Sequence, residues 1–290
     1  MKTNVWIKLL APLVAMGGLL GLTSCNRIVT SMAGLSGLMA VGNTQSARSL
    51  NDKERVTIDH TLTAVKEVTL STNLDCHLYQ SKEAHLEVIA PNDERLQDLH
   101  YEVQGDRLII YDKKIKAQGK LDSANTNYHL AINLYLPEVK DITLSGACAL
   151  EVKTDLSPHK LSIDCSGASS ITAGKVSCSD LDLDLSGAVA CTMKDIEAKR
   201  VTADLSGAVS LTLSGQTESL IGDFSGAVNA DLKDLKSYTA KVEASGACNV
   251  EIYASESLTC DTSGVVSLSY SGNPKEIKIE KSGMSSVHKH

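Results

Sequence analysis

The chain has 290 residues, of which 42% are hydrophobic and only 3% aromatic, and its formal net charge is −7. The hydrophobic content excludes wholesale disorder, and the negative charge excludes a protein built to wrap nucleic acid. The scarcity of aromatic residues favours a narrow stacked architecture that aliphatic side chains can fill.

Residues 1–24 have the order of an export signal. A basic start precedes an apolar run over 9–22, and the segment Leu22-Thr23-Ser24-Cys25 follows. That segment resembles the lipobox of bacterial lipoproteins, which predicts cleavage between Ser24 and Cys25 and lipidation of Cys25. An uncleaved membrane-spanning helix is the alternative, but the glycines and proline in the run disfavour it. Because two or three acyl chains anchor stably, we expect the membrane to be one partner of the mature chain.

The exported part would carry 26 basic and 35 acidic side chains, a net charge of 26 − 35 = −9. Its first residues, 25–55, are small and rich in serine and glycine, and they show no strand periodicity. They predict a lipidated cysteine followed by a flexible tether.

Residues 56–137 show strand patterns of period two without a regular repeat. The predicted strands are 56–58, 67–70, 76–79, 86–89, 101–103, 108–111 and 130–136. Turn signals lie at Pro91-Asn92-Asp93 and Gln104-Gly105-Asp106, and Pro137 marks the end of the region. We expect this region to supply the irregular first coils and the cap of a solenoid.

Residues 138–290 contain a regular repeat. The tripeptide Ser-Gly-small starts at Ser145, Ser166, Ser186, Ser206, Ser225, Ser245, Ser263 and Ser282, at nearly even intervals. The positions one and three residues before each serine, and five after it, are mostly apolar. This spacing is that of strands, and a unit of about 20 residues must stack on its neighbours to bury its apolar face. The sequence therefore predicts an all-β fold, a parallel β-helix over 56–290 as a single domain. A leucine-rich horseshoe is the competing architecture, but its leucine framework is missing.

The pattern resembles the family described as putative auto-transporter adhesin, head GIN domain, which is common among Bacteroidetes lipoproteins. The resemblance covers roughly 56–290 and rests on 73–80, 101–110, 134–137 and the Ser-Gly-Ala coils. It implies a right-handed β-helix, and it carries no functional residues that can be transferred. Cys25-Asn26-Arg27-Ile28 lacks the acidic residues of a surface-export signal in that phylum. We therefore expect an outer-membrane anchor in the cell envelope that faces the periplasm, with exposure on the cell surface as the alternative.

One outward column is acidic. Two residues before the serines stand Thr143, Asp164, Asp184, Asp204, Asp223, Glu243, Asp261 and Glu280. Like charges about 4.8 Å apart repel, so something must offset them. We expect each carboxylate to accept hydrogen bonds from backbone N–H groups at its own Ser-Gly corner. The alternatives are a column that binds calcium or a cationic partner, and the acid–base pair of a carbohydrate-active enzyme.

Seven cysteines besides Cys25 lack the spacing of metal ligands and are odd in number, so we predict buried free thiols. The terminal segment 287–290 reads as a frayed tail. No cofactor motif is present. The serines of the Ser-Gly tripeptides recur in every repeat, whereas an enzyme needs its catalytic residue at one place. We therefore expect a non-catalytic adhesin-like, scaffolding or binding module. The alternative is a carbohydrate-binding or carbohydrate-active protein, and the candidate partners are a glycan, a protein ligand and a second copy of the chain.

Overall fold

The computed structural model describes residues 56–90, 99–112 and 130–290, which lie in one compact unit. These residues form strands and connecting turns, and no helix occurs among them. The strands are β1 (Val56–Thr61), β2 (Glu67–Gln80), β3 (His85–Ala90), β4 (Leu99–Gln104), β5 (Arg107–Asp112), β6 (Leu130–Leu136), β7 (Asp141–Val152), β8 (Lys160–Ala173), β9 (Val176–Tyr253), β10 (Ser257–Thr262), β11 (Val265–Ser271), β12 (Glu276–Lys281) and β13 (Ser286–Lys289). The all-β prediction is confirmed. Within the described ranges, no helix is long and apolar enough to span a membrane.

Strands from β7 onward pair in parallel with a partner one repeat away. Asp141 of β7 pairs with Ser162 of β8, and Lys160 of β8 pairs with Asp180 of β9. Strand β9 runs through 78 residues and pairs with β10 and β11, which pair in turn with β12 and β13. The offset between paired residues equals the spacing of the serines, so each Ser-Gly tripeptide lies beside the next one.

The core consists of the columns that the sequence predicts. The residues before the serines are buried in seven of the eight repeats: Leu144, Cys165, Leu185, Leu205, Phe224, Ala244 and Thr262. Phe224 is the only phenylalanine of the chain, and a Cβ added at Gly222 would lie 2.6 Å from its ring. The glycine therefore makes room for the one large ring in a column of aliphatic side chains.

The corner glycines meet two demands at once. Gly207 has a φ of +96°, a conformation that L side chains rarely adopt, and a Cβ built on it would lie 2.5 Å from the carbonyl oxygen of Gly187. Neighbouring repeats thus approach backbone to backbone at this corner, which only glycine permits.

The N-terminal region contains the predicted strands, but its pairing is mixed. Strand β2 pairs in parallel with β7 on one side and with β5 and β6 on the other. Strands β1, β3 and β6 instead pair antiparallel in that order, and β4 and β5 form a hairpin that turns at Gly105. A period of two is common to both pairing directions, so the strand pattern could not distinguish them.

Ion pairs tie the hairpin turn to β2 and β7. Lys140 Nζ lies 3.0 Å from carboxylate oxygens of both Glu67 and Asp106, and Arg107 contacts Glu67 at 2.7 Å. Lys140, and then Arg107, hold the pKa of the Glu67 carboxyl below its usual value. Ion pairs as well as backbone pairing therefore hold the start of β2 beside the start of β7.

The C-terminal segment differs from the prediction. Residues 286–289 form β13, which pairs with β11 from Ser267 to Tyr270, so the prediction of a frayed tail is wrong. Val287 is partly buried against the core and occupies the column of Leu268. Strand β13 forms because its inward apolar residue, Val287, continues the buried column of the earlier repeats.

Candidate functional site

The acidic column lies on one outer face, as the sequence predicts. All seven of its carboxylates are exposed: Asp164, Asp184, Asp204, Asp223, Glu243, Asp261 and Glu280. Asp164 pairs directly with Asp184, and Asp261 lies between Glu243 and Glu280. Neighbouring strands lie about 4.8 Å apart, so the column is a row of like charges at that spacing.

The carboxylates do not cap the Ser-Gly corners, and that prediction is wrong. In the described part of the chain no backbone N–H group donates a hydrogen bond to these seven carboxylates, and the side-chain contacts that they make are the ion pairs of Glu243 and Glu280 with lysines. Strand pairing runs through the corners, where Ser166 lies beside Ser186 and Gly167 beside Gly187. The backbone N–H groups there are directed along the ladder between repeats, so the side chains two residues earlier cannot reach them.

The corner serines contribute hydrogen bonds between repeats instead. The hydroxyl of Ser166 donates to the carbonyl oxygen of Leu144 at 3.5 Å, and that of Ser186 donates to the carbonyl oxygen of Cys165 at 3.3 Å. Ser225 repeats this contact with Leu205. At these corners the serine therefore ties one repeat to the previous one.

The electrostatics of the column change along its length. The pKa of the Asp223 carboxyl is raised by its partial burial and by the charges of Asp204 and Glu243 beside it. Near the C-terminal end lysines relieve the repulsion, because Lys241 contacts Glu243 at 2.7 Å and Lys278 contacts Glu280 at 2.9 Å. The repulsion is therefore relieved at the C-terminal end of the column.

A calcium site in this column stays a prediction. Among the residues that the structure describes, no group of three or more His, Cys, Asp or Glu side chains is arranged to hold a metal ion. The carboxylates follow one another in a line, whereas calcium takes six to eight oxygens that converge on one point. The column is thus better arranged to attract positive charges that are spread along a line than to hold a single metal ion.

A shallow open groove of about 810 Å³ follows the glycine corner on its other side. Small side chains line most of it, with polar groups near its ends. Its lining includes Asn73, Asp75, Ala168, Ser170, Ala190 and Asn229. The groove crosses several repeats, and alanine, valine and serine side chains recur along its middle part.

A polar row in the N-terminal region was not anticipated from the sequence. It crosses four strands, from Glu87 through Asn133 and His77 to Glu151. The amide of Asn133 donates to Glu87 at 2.7 Å, its oxygen lies 3.1 Å from His77 Nδ1, and Glu151 lies 3.7 Å from His77 Nε2.

Two residues further along the same strands, three rings stack side by side. The His85 and Tyr135 rings have centroids 4.0 Å apart, and the Tyr135 and Tyr79 rings 4.6 Å apart. These residues come from separate segments of the chain, so only the strand pairing brings them together. Stacked rings beside amide and carboxylate groups form a half-buried polar and aromatic patch on the outer face.

None of the seven cysteines of the described region forms a disulfide bond, as predicted, and all but Cys178 are buried. Burial raises the pKa of the Cys191 and Cys260 thiols to about 12, and that of Cys178 to about 11. Thiols with such values are protonated at neutral pH and are poor nucleophiles. They serve as small core residues. Ser24 and Cys25, the predicted cleavage and lipidation residues, lie outside the described residues.

Comparison with solved structures finds the same fold in three bacterial proteins. A putative adhesin from Bacteroides fragilis is 16% identical with a TM-score of 0.62, over 82% of this chain and 98% of that one. A putative adhesin from Parabacteroides distasonis is 19% identical with a TM-score of 0.71, over 82% of this chain and 98% of that one. A putative lipid binding protein from that species is also 19% identical with a TM-score of 0.71, over 81% and 96%. At these identities the likeness concerns the fold alone.

No curated protein matches the chain significantly. The model of one protein family does match, over residues 64–274. Its range includes the N-terminal strands from β2 onward and seven of the eight Ser-Gly corners. The chain therefore belongs to the family described as putative auto-transporter adhesin, head GIN domain.

Proposed function

We propose that the chain is a lipid-anchored protein of the cell envelope whose domain is a right-handed parallel β-helix with one coil per Ser-Gly repeat. In this proposal the domain acts as a non-catalytic adhesin-like or scaffolding module. The observation that carries it is the in-register parallel pairing of strands one repeat apart, which presents the same outward side chains again and again.

The proposed coil size, about 20 residues, follows from the strand offsets and is typical of stacked repeats. Thr239 of β9 pairs with Ser257 of β10, and Asp141 of β7 pairs with Ser162 of β8, so the offset stays close to one repeat along the chain. A chain that returns beside itself after each such interval, with its glycines in backbone contact, winds as a solenoid. The right hand is the one that the family resemblance implies.

Binding is favoured over catalysis because the surface chemistry is repeated. A catalytic centre needs one place where a nucleophile, an acid or a base differs from its surroundings. Here the acidic column carries carboxylates in successive repeats, and every thiol of the described region except that of Cys178 is buried. Repeated weak contacts instead suit an extended partner, because linked contacts strengthen one another.

A carbohydrate is a second candidate partner, and the patch of Tyr79, Tyr135 and His85 favours it. Aromatic rings beside Asn133 and Glu87 offer both apolar contact and hydrogen bonds, which sugars require. The proposed site lies in the N-terminal region and away from the acidic column, so the two candidates can be separated by substitution.

The experiment that tests the function is binding by the full chain, displayed in a bacterial envelope, to immobilised glycans and to extracellular matrix proteins. Replacing Asp184, Asp204 and Asp223 by Asn should weaken binding to a basic protein ligand, and Tyr79→Ala with Tyr135→Ala should weaken binding to a glycan. Both variants would keep Cys25, whose replacement by Ala should abolish incorporation of labelled palmitate. Binding that neither set of substitutions reduces would contradict both assignments.

A further inference from the structure

Strand β12 exposes side chains that the earlier repeats bury. Ile277 is 49% exposed, whereas Leu258, its partner on β10, is fully buried. Ile279 is half-buried, whereas its partner Cys260 is 1% exposed. The core columns therefore continue into β12, but nothing in the described ranges covers them there.

One edge of β12 is also without a strand partner. Its other edge pairs with β10 over its whole length, and β12 is the last strand of its path in the sheet within the described part of the chain. An unpaired edge presents backbone N–H and C=O groups that can accept a further strand. Backbone groups and apolar side chains are thus exposed at the same place.

We propose that this edge pairs with the same edge of a second copy of the chain, antiparallel and about a two-fold axis. Such an interface is self-complementary, because each strand meets itself in reverse order. Residues directly opposite each other in an antiparallel pair lie on the same face of the sheet. Outward residues must therefore face outward residues, and inward residues must face inward ones.

The charges and the length of β12 together select one register among those that the faces allow, because an axis at Ile277 also opposes Glu276 and Lys278 but pairs only three residues of the strand. The outward residues are Glu276, Lys278 and Glu280, and the inward ones are Ile277, Ile279 and Lys281. An axis at Lys278 would place Lys278 against itself and Glu276 against Glu280, which is repulsive.

An axis at Ile279 removes that conflict. Lys278 of each copy then faces Glu280 of the other copy, and Ile279 faces itself across the axis. Lys281 lies opposite Ile277, where the aliphatic part of the lysine can cover the exposed isoleucine. Lys278 and Glu280 already contact each other at 2.9 Å within one copy, so the four charges would alternate around the axis. The charge pattern is therefore complementary to itself in this register.

A cysteine on the axis tests the pairing directly. Opposite Cα atoms in an antiparallel pair lie about 4.5 or 5.5 Å apart, which suits a disulfide. The full-length Ile279→Cys variant, treated with a mild oxidant, should run as a dimer on a non-reducing gel and as a monomer after reduction. The wild type is the matched control, because its Cys260 occupies the same column one strand earlier. A folded Ile279→Cys variant that stays monomeric would overturn the proposal.

Charge reversal tests the register. In the Ile279→Cys background, Lys278→Glu should reduce the yield of covalent dimer about tenfold at limiting protein concentration, because two attractive pairs become repulsive. Adding Glu280→Lys should restore it, since the exchanged charges again face their opposites. Both side chains are mostly exposed, so an unchanged unfolding midpoint would show that each variant folds. The register is wrong if Lys278→Glu leaves the yield unchanged or if the exchange fails to restore it. Assemblies larger than a dimer in sedimentation would exclude the two-fold axis.

Discussion

Three glycines, one at a Ser-Gly corner and two in turns, separate a strained backbone from a steric clash. Gly207 has both, with its positive φ and the nearby carbonyl of Gly187. Gly105 has a φ of +69° but no atom within 4 Å of an added Cβ, and Gly174 has neither constraint. The chain thus offers three positions with graded demands for the same change to alanine.

We expect Gly207→Ala to lower the free energy of unfolding by about 3 kcal/mol, because backbone strain and a backbone clash add. Gly105→Ala should cost about 1 kcal/mol for its positive φ alone, and Gly174→Ala should stay within about 0.5 kcal/mol of the wild type. Urea unfolding followed by circular dichroism measures all three. Equal losses for Gly207→Ala and Gly105→Ala would contradict the close packing of the corners.

Burial of the thiols also has consequences for reactivity. Alkylation requires the thiolate, and burial raises the pKa of Cys191 to about 12. We expect Cys178, the only one of the seven that is not buried, to be alkylated first in the native protein, and the other six only on unfolding. Peptide mapping by mass spectrometry after timed labelling would identify the order. Rapid native labelling of Cys148 or Cys248 would contradict it.

The same burial gives a stability that depends on pH in a known direction. The folded pKa of Cys191 lies above the unfolded value of 9.0. Its contribution is therefore complete below about pH 9 and is lost as the pH rises toward 12, since the unfolded thiol ionises first. Cys191→Ala should remove part of this alkaline loss, apart from any cost of the smaller side chain.

At the scale of elements, the acidic column shows that a strand can tolerate a row of like charges when its backbone is fully paired. The pKa of Asp223 is shifted upward, whereas the pKa of a carboxylate that the fold stabilises is shifted downward. Its contribution favours the folded state at low pH and is lost as the pH rises through its folded pKa.

We therefore expect Asp204→Asn to stabilise the protein at neutral pH and low salt, by about 0.5 kcal/mol, because it removes one like charge beside Asp223. The gain should shrink as sodium chloride is added and below pH 4. Calcium chloride at matched ionic strength should act like the sodium salt. Asp155→Asn, an exposed carboxylate outside the column, is the control. A calcium-specific rise in melting temperature that Asp204→Asn abolishes would contradict this and favour an ion site.

The elements also show what the sequence could and could not predict. Periodicity of two placed the strands and the inward columns correctly, because burial alternates along strands such as β3, β7 and β8. It could not predict that β1 and β3 pair antiparallel, or that His85, Tyr135 and Tyr79 stack, because these contacts join segments far apart in the chain. The capping prediction was wrong because it treated the Ser-Gly corner as a free turn, whereas the strands continue through it.

At the scale of the whole molecule, the proposed coil predicts which deletions the fold accepts. Removing residues 187–206 joins Ser186 to Gly207 and takes out one whole unit, so every remaining tripeptide keeps a neighbour. Removing residues 187–196 takes out half a unit and shifts all later columns.

We expect the whole-unit deletion to unfold cooperatively with a strand spectrum like that of the wild type, since the stacked units contact only their neighbours. The half-unit deletion should lose cooperativity and become sensitive to protease. Circular dichroism and limited proteolysis of the two variants decide the question. If both deletions behaved alike, the chain would not wind with this period.

The parallel pairing of successive repeats has a mechanical consequence. The backbone hydrogen bonds between repeats point from each unit to the next. A force that pulls the two ends of the stack apart therefore stretches these hydrogen bonds along their own axes. Under such tension the units would detach one at a time, beginning at an end. Each would release about 20 residues, or roughly 70 Å of extended chain, before the next one took up the load. Under a sudden force, a module of this kind would lengthen in equal steps and dissipate mechanical work at each step.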